Sequence, residues 1–280
     1  GSEMCIRDSL GGALTGNPVL GQNVVPAAVW EGLYLQILDR VEGFVGEAQV
    51  ALANLQTTMP YFDTVPTGAQ VEGVGFVPWN TDEEDVLYVL LPASSELDPP
   101  LGEDYLSVAG GTASIPARYT LTQDEYAVLT TEIEAYNQII EREATDRGWA
   151  YVDVEAIFTA LPSDKTQPAT YGQLNRVFPW FDRTGDGVPE QNTNSAFSLD
   201  GIHPSEKGYA RIANLFAEAL NGTYGESYGQ LNVGDVVNTA GFEEVLDGAV
   251  APPVAAPLGL RYDRKGAAGL ADTATLLGAR

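Results

Sequence analysis

The stretch that most restricts the fold runs from Thr122 to Val154. Thr122-Gln123-Asp124-Glu125 is a capping box, in which a hydroxyl and a carboxylate satisfy the first free amides of a helix reciprocally. Tyr126, Leu129, Ile133, Tyr136 and Ile140 follow at helical spacing on one stripe, and Gly148 supplies the stop. Trp149 to Val154 then reads as a buried strand carrying Asp153 near its end, and Ala156 to Leu161 as a helical turn. The same order occurs earlier. Pro26 opens a helix in which Val29, Leu33, Ile37 and Val41 recur every fourth residue, with Trp30, Tyr34 and Leu38 beside them and Gly43 as its end. Ala48 to Leu55 is short, apolar and uncharged, as a strand covered on both faces would be. A helix followed by a buried strand, twice, predicts an α/β protein with a parallel sheet. Asn54 falls at the C-terminal end of its strand, where such sheets place their sites.

The intervening segments are less regular. Residues 56–120 are broken by Pro60, Pro66, Pro78, Pro92, Pro99, Pro100 and Pro116, and a connection of this length reads as a lid or substrate loop. Within it Asp82-Glu83-Glu84-Asp85 reads as a solvated loop, and Val86 to Leu91 as a strand or packed extended segment. Residues 162–197 read as loop. Tyr61, Phe62, Trp79, Tyr171, Phe178 and Trp180 either line an acyl or sugar pocket or anchor these loops to the core. Ser205 caps a further helix whose expected buried face is Tyr209, Ile212, Ala213, Phe216 and Leu220, ended by Gly222 and Gly225. Ala251 to Pro257 reads as a linker and Leu258 to Arg280 as an Ala/Gly-rich tail. The expected organisation is therefore a domain over residues 1–225 and a C-terminal extension over 226–280.

Charge and cysteine usage exclude several classes. The chain carries 39 acids against 14 bases, a net charge of −25. Only three of the bases are lysines, Lys165, Lys207 and Lys265. Such a surface repels phosphate backbones and anionic membranes, so nucleic acid is excluded as a partner, and it suits a high-salt medium. A lone Cys5 excludes a disulfide framework and a cysteine-based metal site. No apolar run is long enough for a membrane span. Asp182-Arg183-Thr184-Gly185-Asp186-Gly187 resembles the start of a calcium loop, with oxygens at alternate positions and a glycine at the sharp turn. Thr184 is a poor ligand at its position, and Thr193 stands where an EF-hand has its bidentate glutamate. Calcium at Asp182 and Asp186, in a non-catalytic acidic domain, stays open beside a reading with no cofactor.

The single histidine of the chain lies in Ser198-Leu199-Asp200-Gly201-Ile202-His203-Pro204. An acid three residues before a histidine can fold back onto one ring nitrogen and leave the other to act as a base, the arrangement that serine hydrolysis needs. The plain alternative is a solvated turn before a helix. The flanks decide between them: Phe197 to Pro204, then Gly208-Tyr209-Ala210 and Ile212-Ala213-Asn214, closely resemble the last block of the SGNH/GDSL hydrolases. Ala51-Leu52-Ala53-Asn54-Leu55 with Pro60-Tyr61-Phe62 and Thr64-Val65-Pro66, and Tyr136-Asn137-Gln138-Ile139-Ile140 with Ala150-Tyr151-Val152-Asp153, resemble further segments of a bacterial branch of that family. The likeness covers roughly residues 8–225.

The resemblance implies a three-layer α/β/α, flavodoxin-like sheet, hydrolysis of a small ester or acylated substrate, secretion or a periplasmic location, and Asp200 and His203 as triad acid and base. For the nucleophile two alignments compete. In one, Arg7-Asp8-Ser9-Leu10 is a degraded nucleophile block and Ser9 attacks, although Arg7 stands where the family has glycine. In the other, Asp8 to Leu14 matches the segment that follows the family's oxyanion asparagine. That second alignment accounts for more residues. It implies that three strands, the nucleophile and most of the oxyanion hole lie outside the chain, leaving the sheet incomplete at its N-terminal side.

Overall fold

Both helix–strand units form, and their strands pair with each other. The computed structural model describes residues 18–46, 48–108, 111–181 and 190–238, with the pairs 255–256 and 259–260. In chain order the elements are α1 (Ala27–Val45), β1 (Ala51–Ala53), α2 (Pro60–Asp63), β2 (Gly68–Val71), β3 (Gly75–Pro78), β4 (Val86–Val89) and α3 (Ala93–Glu96). Then come β5 (Thr120–Thr122), α4 (Gln123–Asp146), β6 (Ala150–Val152), α5 (Val154–Ala160), α6 (Pro168–Tyr171), β7 (Trp180–Phe181), β8 (Glu190–Gln191) and α7 (Glu206–Tyr224). β9 (Ala255–Ala256) and β10 (Gly259–Leu260) form a short antiparallel pair. The protein is a mixed α/β chain. Among the described residues its parallel sheet has two strands.

The capping box forms as the sequence predicts. Glu125 N donates to Thr122 Oγ1 at 3.3 Å, and Thr122 N donates to Glu125 Oε2 at 2.8 Å. Leu129, Ile133, Tyr136, Ile139 and Ile140 are buried along α4. The Tyr136 ring stacks on Trp30 with centroids 4.7 Å apart, Trp30 stacks on Tyr34 at 4.4 Å, and the Tyr136 hydroxyl donates to Val25 O. These rings choose the face of α1. Trp30 and Leu38 are buried, whereas Val29, Leu33 and Ile37 are 54%, 57% and 45% exposed. The Trp30–Leu38 stripe is thus the inner one: α1 carries two adjacent apolar stripes, and periodicity alone does not choose between them. Gly43 lies inside the helix, which ends at Gly46 with φ +56°.

β1 and β6 run parallel, with Ala51 opposite Ala150 and Ala53 opposite Val152. Ala150 N to Val50 O (2.9 Å) and Asn54 N to Val152 O (3.1 Å) extend the ladder by one bond at each end. Helices α4 and α7 both pack on this pair.

Residues 56–120 are more structured than a lid. β2 and β3 form an antiparallel hairpin, and β4 pairs antiparallel with β5. Val89, Leu90, Ile115 and Leu121 of this region are fully buried. The acidic run is tied down as well: Glu83 accepts from the buried Thr120 Oγ1 at 2.7 Å, and Asp85 sits at φ +53°. Of the aromatic residues, Tyr61, Phe62, Trp79 and Phe178 are buried and Tyr171 is half-buried, which fits anchors of loops to the core.

Helix α7 is capped by Ser205, whose Oγ accepts from Gly208 N at 3.2 Å. Its inner face differs from the expected one. Ala210, Asn214 and Leu215 are buried, Ile212 and Phe216 pack at the core edge, and Tyr209 and Ala213 are exposed. Gly208 sets this rotation. A Cβ there would stand 2.1 Å from Ala196 O, so the glycine must face inward, and Tyr209 beside it turns out. The helix runs past Gly222 and ends at Gly225, φ +70°. Beyond it, residues 226–238 fold back on α7: Asn214 Oδ1 accepts from Leu231 N at 2.7 Å, and Asn221 Oδ1 from Tyr228 N at 2.7 Å. No helix among the described residues is long and apolar enough to cross a membrane.

The packing makes an ordered prediction for stability in urea. Ile133→Ala should cost about 2–5 kcal/mol and Thr122→Ala about 1 kcal/mol. Leu33→Ala, on the outer stripe of α1, should stay within about 0.5 kcal/mol. A Leu33→Ala loss as large as that of Ile133→Ala would show that the buried face of α1 has been misassigned.

Candidate active site

The loop from Phe197 to Pro204 is closed at its base by an antiparallel bridge between those two residues. Ser198 N donates to His203 O at 2.8 Å, and Ser205 N to Ala196 O at 2.9 Å. The fully buried Phe197 meets Phe158 of α5 edge-on, centroids 5.4 Å apart, which fastens the loop to the core. At the tip, Gly201 N donates to Ser198 O at 3.0 Å and Gly201 adopts φ +69°, a conformation that glycine enters without steric cost. Tyr61 N of α2 donates to Gly201 O at 3.0 Å, and a Cβ on Gly201 would stand 2.9 Å from that same nitrogen. The glycine therefore serves both the turn and the close approach of α2.

Asp200 and His203 come together on this loop. Asp200 Oδ2 lies 2.5 Å from His203 Nδ1. Asp200 Oδ1 accepts from Ser198 Oγ (2.8 Å), Ile202 N (2.9 Å) and His203 N (2.9 Å). The carboxylate is largely enclosed while the imidazole side chain is 56% exposed. Burial pushes the Asp200 carboxyl up. The bonds from the His203 ring, the two backbone amides and Ser198 outweigh it and hold the group below the ordinary aspartate value. Such a carboxylate fixes the proton of the imidazole on Nδ1 and leaves Nε2 as the basic nitrogen.

The serines of this region are committed to other bonds. Ser198 Oγ donates to Asp200, Ser195 Oγ to Phe197 O (3.1 Å) and Ser205 Oγ to Ser195 O (2.7 Å). Ser9 lies outside the described residues, as do Cys5 and the loop with Asp182 and Asp186. Among the described residues no group of three or more His, Cys, Asp or Glu side chains is placed to hold a metal ion. Asn54 is a scaffold residue: its Nδ2 donates to Asp153 Oδ1 (2.7 Å) and Tyr151 OH (2.9 Å), and its Oδ1 accepts from Glu155 N (2.9 Å).

Three residues that sequence reasoning passed over hold the loop from behind. Asn175 and Asn192 are buried and bonded side chain to side chain, Asn192 Nδ2 to Asn175 Oδ1 at 2.8 Å. Asn175 Oδ1 also accepts from Val177 N at 3.0 Å, and Asn192 Nδ2 donates to Val177 O at 3.1 Å. Asn238, also buried, donates to Thr193 O (3.0 Å) and Ser195 O (2.9 Å) and accepts from Lys207 N (2.9 Å) at the start of α7. Their only trace in the sequence is the residue type, which is common in loops for unrelated reasons.

Comparison with protein-family models, with curated proteins and with solved structures returns no match to this chain.

Two measurements probe the loop. Because the folded Asp200 carboxyl lies below its unfolded value, the stability it contributes is complete above the ordinary aspartate range and is lost as pH falls through it toward the folded value. In acid titrations followed by circular dichroism, Asp200→Asn should have a shallower acid limb than the parent; identical limbs would refute the linkage. Gly201→Ala should cost about 1–3 kcal/mol through backbone strain and the clash with Tyr61, and should shift the His203 ring resonances. A substitution that leaves both unchanged would contradict the loop geometry.

Proposed function

We propose that this chain belongs to an ester hydrolase of the SGNH/GDSL kind, built on a three-layer α/β/α, flavodoxin-like core and acting on a small ester or acylated substrate. One observation carries the reading: His203 Nδ1 is held at 2.5 Å by Asp200 Oδ2, while the carboxylate's other oxygen is saturated by three further donors. The parallel pairing of β1 with β6, each leading into the segments that resemble the family, supports it.

In this mechanism His203 Nε2 removes the proton from a serine hydroxyl as the oxygen attacks the ester carbonyl. Asp200 keeps the Nδ1 proton in place and stabilises the imidazolium that forms. The imidazolium then protonates the leaving alcohol. A water, deprotonated by the same nitrogen, releases the acid and frees the serine. Ser9 is the nucleophile if the chain acts alone.

The test combines a fluorophosphonate probe with turnover of a neutral nitrophenyl ester. Labelling at Ser9, abolished in Ser9→Ala, supports catalysis by the chain itself. Asp200→Asn should lower turnover by about 10⁴-fold, the size of effect seen when the orienting acid of a triad is lost, and His203→Ala should remove it. Turnover that persists unchanged in His203→Ala would end the hydrolase reading.

A further inference from the structure

Helix α2 separates two features. Tyr61 faces the Asp200–His203 loop through its bond to Gly201. Its neighbours Pro60 and Phe62 line a cavity of about 210 Å³, whose other walls include Thr58, Tyr88, Ser163 and Arg176. The floor is aromatic: Phe62 and Tyr88 have centroids 5.7 Å apart, and Tyr126 stands edge-on to Tyr88 at 5.2 Å. The rim carries hydroxyls and one guanidinium.

That guanidinium is, among the described residues, the half-buried one without a carboxylate partner. In a chain of net charge −25, arginines find carboxylates readily: Arg142 pairs with Glu31 and Glu143, Arg147 with Asp39 and Glu42, and Arg211 with Glu218. Arg118 lies over the Tyr119 ring and is exposed, as is Arg40. Arg176 is half-buried and forms no ion pair among the described residues. Its protein partners are distant ones, Leu161 O and Ser163 Oγ, each at 3.4 Å. Glu155 and Arg176 both bear on the Tyr126 hydroxyl, but Glu155 is already engaged by Thr57 N, Thr57 Oγ1 and Thr159 Oγ1. A planar guanidinium with spare donors, lining a small cavity together with Phe62 and Tyr88, matches a carboxylate joined to an apolar body.

We propose that this cavity is a carboxylate site, in which Arg176 holds the charge of a small monoacid and Phe62 and Tyr88 receive its apolar part. The binding stands on the cavity alone. Its role, recognition of a free carboxylate on the ester that His203 would process, rests on the hydrolase reading above.

Titration calorimetry with benzoate and with benzamide, its neutral counterpart, tests the site on the full chain. Benzoate should bind at least about tenfold more tightly than benzamide, the gain expected of a charge-assisted bidentate pair. Arg176→Gln should erase that preference. Arg176→Lys should restore it only in part, because an ammonium lacks the fork. A thermal melt like the parent's shows that these variants are folded, since the backbone bond from Arg176 N to Pro162 O (2.8 Å) is retained. Equal binding of the two probes, no binding of benzoate, or an unchanged preference in Arg176→Gln would overturn the proposal. His203→Ala should leave the preference intact, and its loss there would also overturn it. Arg176-dependent binding of benzoate by a chain that turns over no ester supports the site and removes only catalysis by Ser9 in the chain alone.

Discussion

A carboxylate taken out of water is costly unless donors replace the lost hydration, and the loop that carries Asp200 is shaped by that requirement. Its donors come from Ser198, Ile202 and twice from His203. Collecting them demands a tight turn, and the turn demands the left-handed residue at Gly201. The absence of a side chain there lets α2 approach, so the bonds that satisfy Asp200 also create the surface on which Tyr61 seats. Chemistry and local architecture at this point are one set of hydrogen bonds.

Behind the loop the protein has little regular structure. Backbone groups buried between α5 and α7 still need partners. Side-chain amides provide them: Asn175, Asn192 and Asn238 together bond to Thr170, Gln173, Val177, Thr193 and Ser195 along the backbone. This is a substitute for a sheet, assembled from residues far apart in the chain. Such a network is rigid when every member is satisfied, and it holds the start of α7 against the His203 loop.

How much of this was legible in the residues follows the range of the interactions. The capping box of α4 and the contact of Asp200 with His203 are local patterns, and each forms; of the strand read over 149–154 only Ala150–Val152 forms, because Asp153 caps α5. Which face of α1 is buried is not legible, because Val29–Leu33–Ile37 and Trp30–Tyr34–Leu38 are equally periodic. The choice is made by the Tyr136 ring, on another helix. The face of α7 was misjudged for a related reason, since Gly208 is set by its contact with Ala196 O. Within residues 56–120 β4 lies inside the segment Val86 to Leu91 that reads as a strand, whereas the β2–β3 hairpin is not legible because its strands are short and bounded by prolines and glycines, so no alternation builds up. Arg176 has no signal in the sequence, because the lack of an ion pair to it among the described residues is a matter of three dimensions.

The locality of the dyad has a kinetic side. Among the described residues every donor to Asp200 lies within three residues of it in sequence, so these bonds form with a small loss of chain entropy. The contact between Gly201 and Tyr61 joins opposite halves of the chain and waits for the β1–β6 pairing to bring them near. By this argument the contact of His203 with Asp200 carries a low entropic cost and the contact of Gly201 with Tyr61 a high one. The Asp200–His203 turn is a local unit that the rest of the core positions.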